Sequence, residues 1–127
     1  CVLRTVTAML RQTLGKDALL GRYGGEEFSI LLPGVEQEEA AAVAESLRGA
    51  AAGAETTLDE TVVRVTISLG VAGGEFVPGA AQGLENAKIS DSLILAADTA
   101  LYRAKQQGRN RVCSFGLTYG EFSCAQQ

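Results

Sequence analysis

A chain of 127 residues, 46% hydrophobic and 20% charged, has the size and make-up of one ordinary globular domain and is too short for two. Its net charge of −4 argues against a general nucleic-acid-binding surface, yet leaves room for one nucleotide held by a few placed cations and a metal. There is no histidine, which removes Ser-His-Asp and Cys-His catalysis and leaves carboxylates, Lys, Arg, backbone and metal to do any chemistry.

In chain order, Val2, Leu3, Val6, Met9 and Leu10 recur at helical spacing and predict a helix over 1–14, ended by Gly15. No capping residue precedes it, as expected of an element cut from something longer. Ala18 to Tyr23 reads as a strand, Gly24-Gly25 as a two-residue turn tolerating φ > 0 at both positions, and Glu26 to Leu32 as the returning strand. Glu36 to Ala52 predicts a second helix, with Glu36, Glu38 and Glu39 suiting the dipole of its first turn. From Thr61 to Ala72, Val63, Val65, Ile67, Leu69 and Val71 alternate with polar residues, the pattern of one strand with a buried face. The glycines and Pro78 between Gly73 and Asn86 predict a loop. Ser90 or Ser92 is expected to cap a third helix running to about Gln107, with Gly108 after it and a last strand over Arg111 to Phe115.

The expected order is helix, hairpin, helix, strand, helix, strand, one α+β unit with an antiparallel sheet. In a βαββαβ arrangement the hairpin is strands two and three, so strand one is missing from this sequence. No apolar run approaches the ~18 residues of a membrane span, and no basic-then-apolar leader opens the chain. Cysteines occur at 1, 113 and 124, an odd count without CxxC spacing. Neither a disulfide scaffold nor a zinc site is expected, and a reducing cytoplasm is the natural compartment.

Two adjacent glutamates open the strand that continues Phe28-Ser29-Ile30-Leu31-Leu32. Successive strand residues point to opposite faces, so only one of the pair can face a site directly unless the turn twists. Glycines would let a nucleotide approach the backbone, and an adjoining carboxylate would suit Mg²⁺, which prefers oxygen ligands. Alone, Gly-Gly-Glu-Glu is a weak signal, and an exposed hairpin tip made soluble by its glutamates is the commoner meaning.

Two further stretches accompany it. Arg22-Tyr23-Gly24-Gly25-Glu26-Glu27-Phe28, Thr66-Ile67-Ser68-Leu69-Gly70-Val71-Ala72, and the run from Ala96 through Tyr102-Arg103-Ala104-Lys105 to Gly108-Arg109-Asn110-Arg111-Val112 occur in that order along the chain. Together they resemble the GGDEF family of diguanylate cyclases, with the signature in its Glu-Glu variant. The resemblance implies a fold similar to the palm of nucleotidyl cyclases and polymerases, a ferredoxin-like βαββαβ core, with residues 1–127 forming a single such domain that lacks its N-terminal strand and loop. It also implies condensation of two GTP molecules into cyclic di-GMP and two pyrophosphates, with Mg²⁺ or Mn²⁺, across a homodimer. By the same resemblance Glu26 is a metal ligand and proton acceptor, and Glu27 is essential for activity. Gly24 and Gly25 line the guanosine, and Lys105 and Arg109 bind phosphate, although two cations at a helix C-terminus also serve plain dipole compensation. Asp98 is expected to fix the last helix on the sheet, Asn110 to make a turn, and Tyr102 to lie in the core.

The pattern departs from the family in two places. The family's metal-binding Asp, its phosphate neighbours and its guanine-reading Asn and Asp precede the point that Val2-Leu3-Arg4 matches. The resemblance therefore implies that these residues alone bind Mg·GTP poorly and do not turn it over, and that a longer parent carries the activity. Such a parent is expected to have an N-terminal sensory or receiver domain, no nucleic-acid partner and no direct membrane contact through this domain, though another domain can anchor it. Second, Gly15 and Ala18 stand where many members carry an Arg-x-x-Asp product-inhibition site, so feedback through that site is not expected. The alternative function is a degenerate module that binds GTP or a partner and regulates a neighbouring domain without catalysis.

Overall fold

Residues 2–74, 82–116 and 121–124 are described by the structure, a computed structural model. Its elements are α1 (Val2–Thr13), β1 (Leu19–Gly24), β2 (Glu27–Leu31), α2 (Gln37–Gly53), β3 (Thr56–Leu58), β4 (Thr61–Val63), β5 (Leu69–Val71), α3 (Gln82–Gln106), β6 (Val112–Gly116) and β7 (Glu121–Cys124). Helices and largely antiparallel strands are mixed, the expected α+β class.

The core is built around β6. Its consecutive residues Val112, Cys113 and Ser114 are all buried, because successive side chains point to opposite faces and both faces are covered. Val112 packs with Val71 and with Ala44 of α2, flanked by Ala40, Ala41 and Leu69. Cys113 packs with Ala100 and Ala104 of α3, beside Phe115 and Cys124. Both helices present buried apolar residues at helical spacing: Ala44, Leu47 and Ala51 on α2, and the small Ala96, Ala100 and Ala104 on α3. This lets α3 lie very close to β5. A Cβ on Gly70 would collide with the Ala97 carbonyl oxygen and the Leu101 amide, so only glycine fits there.

β5 pairs in parallel with β6, Leu69 opposite Val112, and α3 makes the crossover. β6 pairs antiparallel with β7, Cys113 opposite Cys124. β1 and β2 form a separate antiparallel hairpin from Leu19↔Leu31 to Gly24↔Glu27. None of the described helices is long and apolar enough to cross a membrane.

Several expectations are corrected. The alternating stretch 61–72 is not one strand: Thr61–Val63 folds back on Thr56–Leu58 as β4 and β3, and strand structure resumes only at Leu69. Asp59 and Glu60, both at positive φ (49° and 67°), form the intervening two-residue turn. Alternation shows that a segment can be a strand but not which neighbour takes it, and the adjoining Thr56-Thr57-Leu58 is an equally good partner. Helix α3 starts at Gln82, ahead of Ser90 and Ser92, since no breaker follows Gly83. Of the expected 73–86 loop, residues 75–81 lie outside the described residues. The turn of the first hairpin is Gly25-Glu26, one residue later than expected, with Gly24 paired to Glu27. Cys113 and Cys124 are joined in a disulfide, their Cα atoms 4.0 Å apart, against the expectation of unpaired thiols. Their register on neighbouring strands brings them together, which spacing along the chain does not reveal.

Candidate functional site

The site begins at the tip of the first hairpin. Gly25 sits at φ 52°, in the left-handed region that glycine enters without strain. Its carbonyl accepts hydrogen bonds from Arg22 Nε and Nη2 at 3.0 and 2.7 Å, so the guanidinium ties the tip to its own strand. A Cβ on Gly24 or Gly25 would meet nothing within 4 Å, so the backbone at the tip is open to an approaching molecule.

The two glutamates lie on different elements. Glu26 is in the turn and exposed. Glu27 starts β2 and turns toward α3, where its Oε1 accepts from Lys105 Nζ at 3.3 Å. The two side chains are 42% and 39% exposed, so the pair stands at the edge of solvent. Between them opens a small cleft of about 210 Å³ lined by Glu27, Asp98, Leu101, Tyr102 and Lys105. The four α3 residues recur at i, i+3, i+4 and i+7, one face of the helix. Asp98 is exposed on that face. Tyr102, expected in the core, is 63% exposed, and its hydroxyl accepts from Gln106 Nε2 at 3.1 Å. The reason is its helical phase: Ala100 and Ala104 take the inward face and leave Tyr102 outside.

Arg109 is not on the helix with Lys105. The helix ends at Gln106, Gly108 follows at φ 117°, and Arg109 and Asn110 sit at φ 64° and 45°. The Arg109 amide donates to the Ala104 carbonyl at 2.9 Å, closing the helix end, and the residue is exposed. The structure gives one cation on the last helical turn and one in the turn that follows.

Behind this turn lies a network that sequence reading missed. Arg48 on α2 donates through Nε and Nη2 to the Glu45 carboxylate at 2.6–3.0 Å, and through Nη1 to Asn110 Oδ1 at 3.0 Å. These bonds hold the Glu45 carboxyl below the usual carboxylate range, and Arg48 rises in turn. The Asn110 amide donates to Ser68 Oγ at 3.2 Å, and the Leu69 amide to the Arg111 carbonyl at 3.0 Å. The i, i+3 spacing of Glu45 and Arg48 was visible, but nothing in the sequence joins Arg48 to a residue 62 positions away.

A second groove, about 420 Å³, runs between α1 and the hairpin beside Arg4, Arg11 and Arg22; none of the six expected site residues lines it. Among the described residues no group of three or more Asp, Glu or Cys is placed to hold a metal by protein ligands alone. Mg²⁺ is also commonly held by one or two carboxylates completed by substrate phosphates and water.

Residues 1–111 match the family described as diguanylate cyclase, GGDEF domain. An uncharacterised protein of Bacillus subtilis, YhcK, is 40% identical over 115 residues, covering 88% of this chain and 29% of that protein. Diguanylate cyclase A of Treponema denticola is 38% identical over 111 residues, covering 87% of this chain and 28% of that protein. The crystal structure of the diguanylate cyclase SiaD with its activator SiaC, from Pseudomonas aeruginosa, superposes with a TM-score of 0.74 at 28% identity, covering 89% of this chain and 40% of that one. The chain thus spans under a third of the length of those two relatives. With its hairpin, its last helix and its fold all matching, this chain belongs to the GGDEF domain family of diguanylate cyclases.

Proposed function

We propose that the protein carrying this chain is a diguanylate cyclase, condensing two GTP molecules into cyclic di-GMP and two pyrophosphates. The observation that carries the reading is the meeting of Glu27 with Lys105, which joins the signature hairpin to the end of α3 across 78 residues. In this reading Gly24 and Gly25 admit the guanosine to the bare hairpin tip. Lys105 and Arg109 take the phosphates, Glu26 provides carboxylate oxygens toward Mg²⁺ or Mn²⁺, and Glu27 is essential for activity. A bound divalent ion supplies neutralisation of phosphate charge and eases ionisation of the ribose 3′-hydroxyl. Glu26, exposed in the turn, is the acceptor for that hydroxyl's proton. Lys105 exchanges its Glu27 partner for phosphate oxygens as the nucleotide enters.

The reaction joins two nucleotides, so two protomers face one another in a homodimer. The remaining metal and guanine contacts come from the strand and loop that family members carry ahead of residues matching Val2-Leu3-Arg4. A sensory or receiver domain in the parent, in the cytoplasm, would set the approach of the protomers.

The test is to incubate the protein carrying this chain with GTP and Mg²⁺ and separate the nucleotides by chromatography. Cyclic di-GMP is expected, and Glu27→Lys abolishes it; synthesis persisting in that variant removes Glu27 from the site. GTP binding without any product from the unaltered protein leaves the regulatory-module reading in its place.

A further inference from the structure

Arg109 and Asn110 are consecutive non-glycine residues in the left-handed region, at φ 64° and 45°. Asparagine tolerates this conformation, but arginine pays for it with a close contact between its Cβ and the backbone. Such a turn persists only where its surroundings over-determine it. Here they do. The Arg109 amide is bound to Ala104 O, the Arg109 carbonyl to Arg111 Nε, the Asn110 amide to Ser68 Oγ and the Asn110 side chain to Arg48. Arg48 is itself immobilised, its side chain 18% exposed and forked onto Glu45. A simple chain reversal after a helix needs only Gly108; it does not need a guanidinium brought from another helix.

We infer that Arg48 and Asn110 form a clamp that positions Arg109, fixing where its guanidinium meets the nucleotide's phosphates. The inference rests on the proposed phosphate role of Arg109 and deepens it. Arg48 touches no substrate in this scheme; it acts through Asn110 on the turn. Arg48 reaches the turn through the Nη1–Oδ1 bond at 3.0 Å, a side-chain contact that can be removed while the turn's backbone hydrogen bonds stay in place. Glycine at 110 keeps the left-handed conformation and the amide bond to Ser68 but loses Oδ1, whereas aspartate keeps an acceptor oxygen and tolerates positive φ.

The experiment compares GTP and GMP affinities of the protein carrying this chain, wild type against Asn110→Gly, Asn110→Asp, Arg48→Ala and Arg109→Ala, by calorimetry in Mg²⁺. Asn110→Gly is expected to weaken GTP about 5- to 50-fold, because a small misplacement of a charged group costs that much, while GMP, lacking the outer phosphates, binds as before. Asn110→Asp recovers most of the loss. In the Arg109→Ala background, Asn110→Gly adds nothing, since both changes remove the same contact. A general loss of structure would instead weaken GTP and GMP alike. Arg48→Ala is expected to match Asn110→Gly, and if it fails to fold, the turn variant still decides. GTP affinity lost in Arg109→Ala but intact in Asn110→Gly overturns the clamp and spares the phosphate role. GTP affinity intact in Arg109→Ala overturns both.

Discussion

Glu27 and Lys105 meet at 3.3 Å, Oε1 to Nζ, yet about two-fifths of each side chain remains open to solvent. An ion pair so exposed contributes at most about 1 kcal/mol to stability, because water screens it and two long side chains lose freedom to form it. Its place at the mouth of a cleft matters more than its strength. A lysine held weakly in position can be released to a stronger anion, and a triphosphate is one. Lys105→Ala is therefore expected to leave the thermal midpoint almost unchanged. The same variant should weaken GTP binding about 10- to 100-fold, the range for losing a charge-assisted hydrogen bond. A large stability loss with intact GTP binding would make Lys105 a structural residue instead.

Gly70 gives the opposite kind of prediction. Its missing Cβ is filled by the Ala97 carbonyl and the Leu101 backbone, neither of which can swing aside as a long side chain would. Gly70→Ala must therefore push α3 away from β5, and α3 carries Lys105. The expected cost is about 3 kcal/mol or more, at the upper end for overpacking a tight core. Denaturant unfolding of the variant measures it, and a loss below about 1 kcal/mol would mean that α3 sits further from the sheet than described.

What was legible in the sequence was local. The first hairpin, α2 and the latter part of α3 followed from glycine turns and helical periodicity, signals carried within a few residues. The positions of Glu27 and Lys105 along their elements were equally readable, whereas Glu26, expected to open the strand, lies in the turn. What escaped depended on partners. The 61–72 alternation could not report that Thr61–Val63 would turn back onto Thr56–Leu58. Tyr102 looked like core until Ala100 and Ala104 were seen to occupy the inward face. Arg48 and Asn110, 62 residues apart, had no shared pattern at all. The half of the site made by long-range contact was the half that sequence spacing could not supply.

Cys113 is fully buried against α3 and bonded to Cys124, the last described residue of β7. Beside the bridge, Phe115 and Phe122 pack edge to face at 4.8 Å, and Arg103 of α3 lies 4.5 Å from the Phe122 ring. The bridge closes a short loop, so opening it should cost about 2–3 kcal/mol, mainly through the unfolded chain it no longer restrains. Of the three cysteines, two are expected to resist alkylation until a thiol reductant is added. Under reductant, or in Cys124→Ser, the unfolding midpoint should fall. Prompt labelling of all three without reductant would show that the strands pair without the bridge.

The Glu45–Arg48 pair makes stability depend on acid. The hydrogen bonds from Arg48 hold the Glu45 carboxyl below its ordinary value of 4.5; burial opposes them less strongly, and the Arg48 charge adds the smallest contribution. A carboxyl that is lowered in the folded state binds its proton more weakly there than in the unfolded chain. Its contribution is therefore complete above about pH 4.5, where both states are ionised, and disappears as pH falls through the lowered folded value. Glu45→Gln removes that titration, so its unfolding free energy should fall less steeply than wild type below pH 4.5 and run parallel to it above. Because Glu45 is 44% exposed, the difference should be modest and should shrink in high salt. Parallel curves across the whole acid range would mean that Arg48 does not engage Glu45 in solution. Its guanidinium would then lack the fixed base from which it reaches Asn110.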